Sequence, residues 1–418
     1  MRASLASKSA AALKTQSHVA PLKTKLKNGL SVVAQDNNGA VSQLILAFRA
    51  GSRYQSVTQQ GLVHHIRNFV GRDVQSYPGL QLVWSSAASG GQLNSFASRD
   101  VFGVQMSVPR DKADYALSIL GQVAAQPAFK PWEMEDDVLP TIHADLAQKT
   151  ARAVVFEDIH RAAFRNDSLG FSLYSSKDQI GAFKSEELQE FARKHFVSGN
   201  GVLVGVNVDS GTLQQYGEEN GAIRDGIAVM NHGAYFRGGD HRRFARGDDV
   251  HIMIAGAGAP VGDVKSLAAQ HVLLAHIGQS SPLNSRILGS SSSSEIDAFG
   301  ASYDGSGLIG AYLHTSGAKA ESAVKKTVEA LRAAKIQNLE ECKRRAINEI
   351  HFTRESSLLS GYEHATNALY KGPDASELLA EIQKVDQSAV DRFVKNAFER
   401  LAISAYGNHS TVPYSDEI

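Results

Sequence analysis

The chain has 418 residues, 43% of them apolar, and lysine plus arginine equals aspartate plus glutamate at 43 each. It is long enough for two or more ordinary domains, and its zero formal charge offers no global field for nucleic acid or an acidic membrane face. The single cysteine, Cys342, excludes an intramolecular disulfide and a cysteine-based metal cluster and points to a reducing compartment, while the longest apolar stretches, around 43–48, 250–259 and 271–276, fall short of the roughly 20 residues that cross a bilayer.

The first 35 residues carry Arg2, Lys8, Lys14, Lys23, Lys25 and Lys27, several Ser and Ala, and no acidic residue before Asp36. That composition predicts a mitochondrial targeting segment over residues 1–22; the rival reading is a mildly basic disordered tail. A strand over 44–48 follows. Next comes Gly61-Leu62-Val63-His64-His65-Ile66-Arg67-Asn68. Two histidines four apart on one helical face can hold zinc, with a glutamate between them to activate the metal-bound water. Of that set this chain keeps His64 alone. Arg67 stands at the position of the base, and Asn68, a poor zinc donor, at that of the second ligand. His65 points about 100° away and cannot replace Asn68. Two unit positive charges about 4 Å apart repel by roughly 4 kcal/mol at an effective dielectric near 20, and zinc carries twice the charge, so Arg67 is expected to oppose metal.

Farther along lie Gly90-Gly91-Gln92-Leu93-Asn94-Ser95-Phe96-Ala97-Ser98-Arg99-Asp100 and Val154-Val155-Phe156-Glu157-Asp158-Ile159-His160-Arg161-Ala162-Ala163-Phe164. With the 61–68 segment these resemble the pitrilysin-type peptidases, mitochondrial processing peptidase included. In that family the helix before 154–164 carries the third zinc ligand, a glutamate. Between Val138 and Phe156 this chain has no glutamate, and Asp145 is the one carboxylate. On a surface helix it reads as a solvated side chain. With the third ligand missing, Arg67→Glu plus Asn68→His is expected not to suffice for a zinc site.

The chain also looks duplicated. Ser185-Glu186-Glu187 begins a helix, acidic in its first turn, with Leu188, Phe191 and Phe196 on one face. Val390, Phe393 and Phe398 repeat that spacing after Asp386-Gln387-Ser388, and each helix precedes a short apolar strand, at 202–205 and 404–407. The strand at 44–48 parallels one at 250–255, and helices are predicted at corresponding places over 111–122 and 319–333. Alternating strands and helices imply sheets covered by helices on one side. The resemblance adds the fold class: α+β, two duplicated α/β-roll domains, each a largely antiparallel sheet, closing around a cavity. The predicted organisation is 23–210, a polar Gly-containing linker over 211–235, and 236–418.

Other signals are set aside. Gly256-Ala257-Gly258-Ala259-Pro260-Val261-Gly262 has the wrong spacing for a dinucleotide loop, and no acidic residue lies between Asp263 and Glu295 to hold a ribose. The serine run 290–294 reads as an exposed linker. No G-x-S-x-G elbow occurs, and His64, His271 and His364 read as ordinary packed or hydrogen-bonded side chains.

The segments 301–312 and 411–418 narrow the resemblance to the core subunits of mitochondrial ubiquinol-cytochrome c reductase, complex III, a branch with arginine at the position of the catalytic glutamate. It implies a non-catalytic subunit serving assembly and stability in electron transport, peripheral on the matrix side of the inner membrane. Its partners would be core protein 1 and, in a dimeric complex, the cytochrome b, cytochrome c1 and iron-sulfur subunits. No cofactor, metal ligand or catalytic residue is expected in this chain, with His64, Arg67 and Asn68 as degenerate motif positions. The alternatives are a non-catalytic presequence-binding subunit of a processing peptidase and, disfavoured by the lost ligands, an active zinc endopeptidase.

Overall fold

The apolar runs of the sequence become the central strands of two sheets. The computed structural model describes residues 19–219, 222–230, 233–278, 295–333 and 336–418; most of the 1–22 leader and the serine run lie outside them. The first half runs β1 (Leu22–Lys25), β2 (Ser31–Gln35), β3 (Val41–Phe48), α1 (Leu62–Asn68), α2 (Gly79–Ala88), β4 (Gln92–Ala97), β5 (Phe102–Pro109), α3 (Ala113–Ala125), α4 (Leu139–Ala147), α5 (Ala151–Phe164), α6 (Ser185–His195), β6 (Gly201–Val206) and α7 (Ser210–Glu219). The second half runs β7 (Gly239–Phe244), β8 (Asp249–Ala257), α8 (Val264–Ile277), β9 (Glu295–Tyr303), β10 (Ser306–Ser316), α9 (Ala320–Arg332), α10 (Leu339–Glu355), α11 (Ser357–Tyr370), α12 (Ala375–Lys384), α13 (Gln387–Ala397) and β11 (Ala402–Gly407).

The sheets are ordered β1-β2-β6-β3-β5-β4 and β7-β11-β8-β10-β9. β2 runs parallel to β6, and β7 parallel to β11. All other neighbours are antiparallel. Leaving out β1, the two sheets have the same order and the same sense at every position, as a duplicated α+β chain requires. The paired helices α6 and α13 begin at the predicted places. Asp386 caps α13 by accepting the Ala389 N–H at 2.8 Å, satisfying one of the free donors of the first turn.

Both faces of each sheet are covered, not one. On β3, Leu44, Leu46 and Phe48 enter the core shared with α1, α3 and α6, whereas Ile45 and Ala47 enter a second cluster on the opposite face. That second cluster is closed by Ala365, Leu369 and Tyr370 of α11, a helix from the other half. The exchange is reciprocal: Val155, Ile159 and Ala163 of α5 pack on Met253, Ala255, Leu308 and Tyr312 of the second sheet. Side chains alternate across a strand, so burial on both faces turns the central strands into continuous apolar runs. Sequence periodicity says nothing about which half supplies the covering helix.

The stretch 211–235 is not linker from its start. α7 occupies Ser210–Glu219 and packs on β2 and β6, with Leu213 fully buried and Tyr216 against the same core. Asp209 accepts the Thr212 N–H at 3.1 Å, a helix-starting contact easily hidden in a polar sequence. Two glycines of the 256–262 segment serve close packing: a Cβ on Gly256 would lie 2.1 Å from the Ala397 carbonyl oxygen, and one on Gly258 2.6 Å from the Leu308 backbone.

Candidate functional site

The degenerate motif forms α1, under two turns long and held on its apolar side by Leu62, Val63 and Ile66. Its N-terminus depends on Gly61, whose φ of +95° suits glycine and whose Cβ position lies 2.6 Å from the Ser175 hydroxyl oxygen. Gln55 caps the helix by accepting the Val63 N–H at 2.8 Å.

Three side chains of α1 converge on one oxygen of Asp145, supplied by α4. His64 Nε2 lies 3.1 Å from Asp145 Oδ2, Asn68 Nδ2 lies 3.4 Å from it, and the Arg67 guanidinium donates to the same oxygen. Asn68 also donates to the His64 carbonyl at 3.0 Å. Asp145 is therefore not the solvated side chain expected of it. Its side chain is 27% exposed, as is that of Arg67, and it accepts from all three motif residues.

The tautomer of His64 follows from its partners. The backbone N–H of Ser175 donates to Nδ1 at 3.2 Å, leaving Nε2 to carry the proton and donate to Asp145. Burial, reinforced by the neighbouring Arg67 charge and only partly offset by Asp145, pushes the His64 pKa down to about 4, so the ring is neutral near pH 7. His65 faces elsewhere. Its Nδ1 lies 2.9 Å from the Gly61 carbonyl oxygen, Gly181 N–H donates to its Nε2 at 3.3 Å, and Phe183 meets its ring edge-on.

Do these residues fit the zinc that the motif implies? The spacing does. Zinc bonds of about 2.0–2.2 Å in tetrahedral geometry hold ligand atoms roughly 3.3 Å apart, close to the 3.1 and 3.4 Å seen here. The chemistry does not. The Asn68 amide nitrogen has no lone pair to give, His64 Nε2 is protonated, and a guanidinium already supplies positive charge at the point of convergence. Among the described residues no group of three His, Cys, Asp or Glu side chains could hold a metal. The arrangement stores an internal ion pair where a metal site would need three ligands and a base.

The motif at 90–100 has a different task. Its last two residues turn inward: Arg99 pairs with Glu157 at 3.1 Å, and Asp100 with Arg53 at 2.5 Å, all four nearly excluded from solvent. Asp100 also accepts the Asp304 N–H at 2.8 Å from the β9–β10 turn of the second half, and Tyr370 of α11 donates its hydroxyl to the Asp100 carbonyl at 2.8 Å. Nearby, Tyr303 and His160 Nε2 are 2.8 Å apart, with the imidazole nearly free of solvent and its pKa held well below the usual value by burial. The contacts of Asp304, Tyr370 and Tyr303 join the halves, whereas the two ion pairs lie within the first. Sequence reading named Arg99 and Asp100 within one motif and Asp304 within the 301–312 segment, but not their contact, and it missed Arg53 and Tyr370, whose partners are remote along the chain.

The insulinase (peptidase family M16) signature matches residues 31–177. Over 94% of the chain and 91% of the relative, the sequence is 28% identical to human cytochrome b-c1 complex subunit 2, mitochondrial. Nearly the whole chain is similar to cytochrome b-c1 complex subunit 2, and its residues 31–177 match the M16 insulinase family. The rat protein of that name is 27% identical over the same shares. The mitochondrial-processing peptidase subunit beta of Blastocladiella emersonii is 25% identical, over 55% of this chain and 49% of its own. Among the described residues no helix is long and apolar enough to cross a membrane.

Proposed function

We propose that this chain is a non-catalytic core subunit of mitochondrial complex III, corresponding to core protein 2 and serving assembly and stability of the ubiquinol-cytochrome c reductase. The observation that carries the reading is the ion-paired site: the helix that would hold zinc presents Arg67 and Asn68 to Asp145 instead. The near-complete coverage of subunit 2 relatives supports the same conclusion. The subunit would sit peripherally on the matrix side of the inner membrane after loss of the 1–22 segment, paired with core protein 1. It would lie in a dimeric complex with the cytochrome b, cytochrome c1 and iron-sulfur subunits, which carry the redox groups. Its domains would be 23–210, extended by α7, and 236–418.

The presequence-binding alternative is weaker because the processing-peptidase match quoted above covers about half of the chain. Gently solubilised mitochondrial membranes separated by native electrophoresis test the choice. Comigration with cytochromes b and c1 at the size of the dimeric reductase is expected. A cytochrome-free matrix heterodimer would overturn the proposal in favour of the processing role, and stoichiometric zinc with presequence cleavage would overturn the non-catalytic reading.

A further inference from the structure

Away from the ion-paired site, a cleft of about 350 Å³ opens between the segment before α4, the outer face of α6 and the chain beyond α7. Its apolar lining is Ala125, Pro127, Ala128, Phe129, Ala192 and Phe196. The charged groups around it are Lys130, Arg193 and Arg224, with the amides of Gln75 and Gln189, and no carboxylate lines it. Lys130 and Arg224 are half-buried, and Arg193 stands exposed at the rim.

Three cations drawn together in an electroneutral chain repel one another unless something answers their charge. None of the three pairs with a carboxylate among the described residues: Arg224 meets the Gln75 amide oxygen at 3.5 Å, and Lys130 lies 5.4 Å from the Trp132 ring centre. A second cleft, of about 330 Å³, shows the contrast. There Lys265, Lys384 and Arg392 share the lining with Glu381, which pairs with Lys384 at 3.0 Å. The backbone supplies a further observation. Phe129 is fully buried against Phe69, yet has φ of +50°, a conformation costly for a bulky side chain, and it sits directly before Lys130. Strain of this kind persists where the surrounding structure enforces it, and here it fixes the residue that precedes one of the cations.

We propose that this cleft binds a phosphate group carried on a partly apolar molecule. Guanidinium forks and an ammonium match the several oxygens and double charge of a phosphate better than the single charge of a carboxylate. The volume lies within the roughly 300–1,000 Å³ typical of small-molecule sites, and the half-buried Pro127 and Ala128 of the lining suit an organic body. Such a group could be a soluble phosphate ester or the headgroup of an anionic phospholipid. The inference does not depend on the subunit assignment.

The test uses the full chain with Trp84→Phe, which leaves Trp132, beside Lys130, as the one indole reporter. At constant ionic strength it is titrated with inorganic phosphate, glycerol phosphate, acetate, and phosphatidylcholine vesicles with or without phosphatidylglycerol. A saturable Trp132 response to phosphate or glycerol phosphate assigns a soluble ligand; one confined to phosphatidylglycerol vesicles assigns a headgroup. Lys130→Gln, Arg193→Gln and Arg224→Gln should each weaken binding about tenfold, roughly one charge-assisted contact apiece, and the triple variant should abolish saturation without lowering the melting temperature. Absence of any saturable response, an equal response to acetate, or an unchanged response in a folded triple variant would overturn the proposal.

Discussion

Replacing Arg67 and Asn68 together by Glu and His should create a zinc site. Sequence reading implied the opposite, because the third ligand looked absent; the structure brings Asp145 beside the motif. Asp145 Oδ2 already lies 3.1 Å from His64 Nε2 and 3.4 Å from the end of the residue-68 side chain, so the double variant would present two imidazoles and a carboxylate at metal-ligand spacing. Removing Arg67 also lifts a repulsion of about 2 kcal/mol, for a unit charge about 4 Å from a dication screened by solvent, since this side chain is 27% exposed. We expect one zinc per chain with Kd in the micromolar range or tighter, about −8 kcal/mol, while the parent binds more weakly than millimolar. Competition against a chromophoric chelator measures both. Adding Asp145→Asn to the double variant should weaken binding at least a hundredfold, about 3 kcal/mol. A folded double variant that takes up no more zinc than the parent would refute the assignment of Asp145 to the ligand position.

Asp100→Asn leaves the buried Arg53 charge without its counterion and should cost about 3–5 kcal/mol in urea unfolding; a loss below about 1 kcal/mol would mean that the buried pair does not support the fold. Gly61→Ala sets a methyl group against Ser175 at φ of +95°, so a drop of about 1–3 kcal/mol is expected, and an unchanged melting temperature would contradict it. Acid should destabilise the fold in a defined window. Burial, the largest cause in each case, lowers the pKa of His64, His195 and His364 to about 4 from 6.5. The unfolded chain therefore protonates first, so the stability these residues contribute is complete above about pH 6.5 and is lost as pH falls towards 4. At one proton each they cost together about 4 kcal/mol per pH unit within that window, and a flat urea midpoint from pH 6.5 to 4.5 would refute it.

What the sequence disclosed and what it withheld divide along chain distance. The strands at 44–48 and 250–255, the matched helices α6 and α13, and the abnormal motif were readable because each is a local pattern of apolar spacing or residue type. Asp145 was misjudged because its environment is set by the packing of α4 on α1, some 80 residues earlier, and one aspartate on a polar helix carries no mark of that contact. The crossing of α5 and α11 onto opposite sheets was likewise invisible: Val155 and Leu369 look like the inward face of any amphipathic helix. α7 was lost because Leu213 and Tyr216 stand in an otherwise polar, Gly-containing stretch.

Exchanging a metal for a guanidinium also changes what the site needs in order to fold. A metal site stabilises only when loaded, by an amount that grows with free metal concentration. Arg67 belongs to the chain, so its pairing with Asp145 forms on folding whatever the metal supply. The pair itself contributes modestly, about 1 kcal/mol, since both side chains are 27% exposed and screened by solvent. The remaining bonds, from His64 and Asn68 to Asp145, from Ser175 N–H to His64 Nδ1 and from Asn68 to the His64 carbonyl, likewise come from the chain's own groups. Prolonged dialysis against a strong zinc chelator should therefore leave the melting temperature of the parent chain unchanged, whereas zinc-loaded Arg67→Glu/Asn68→His should lose several degrees on the same treatment. If the parent melts several degrees lower after chelation and recovers when zinc is returned, a metal holds this fold together and Arg67 does not do its work.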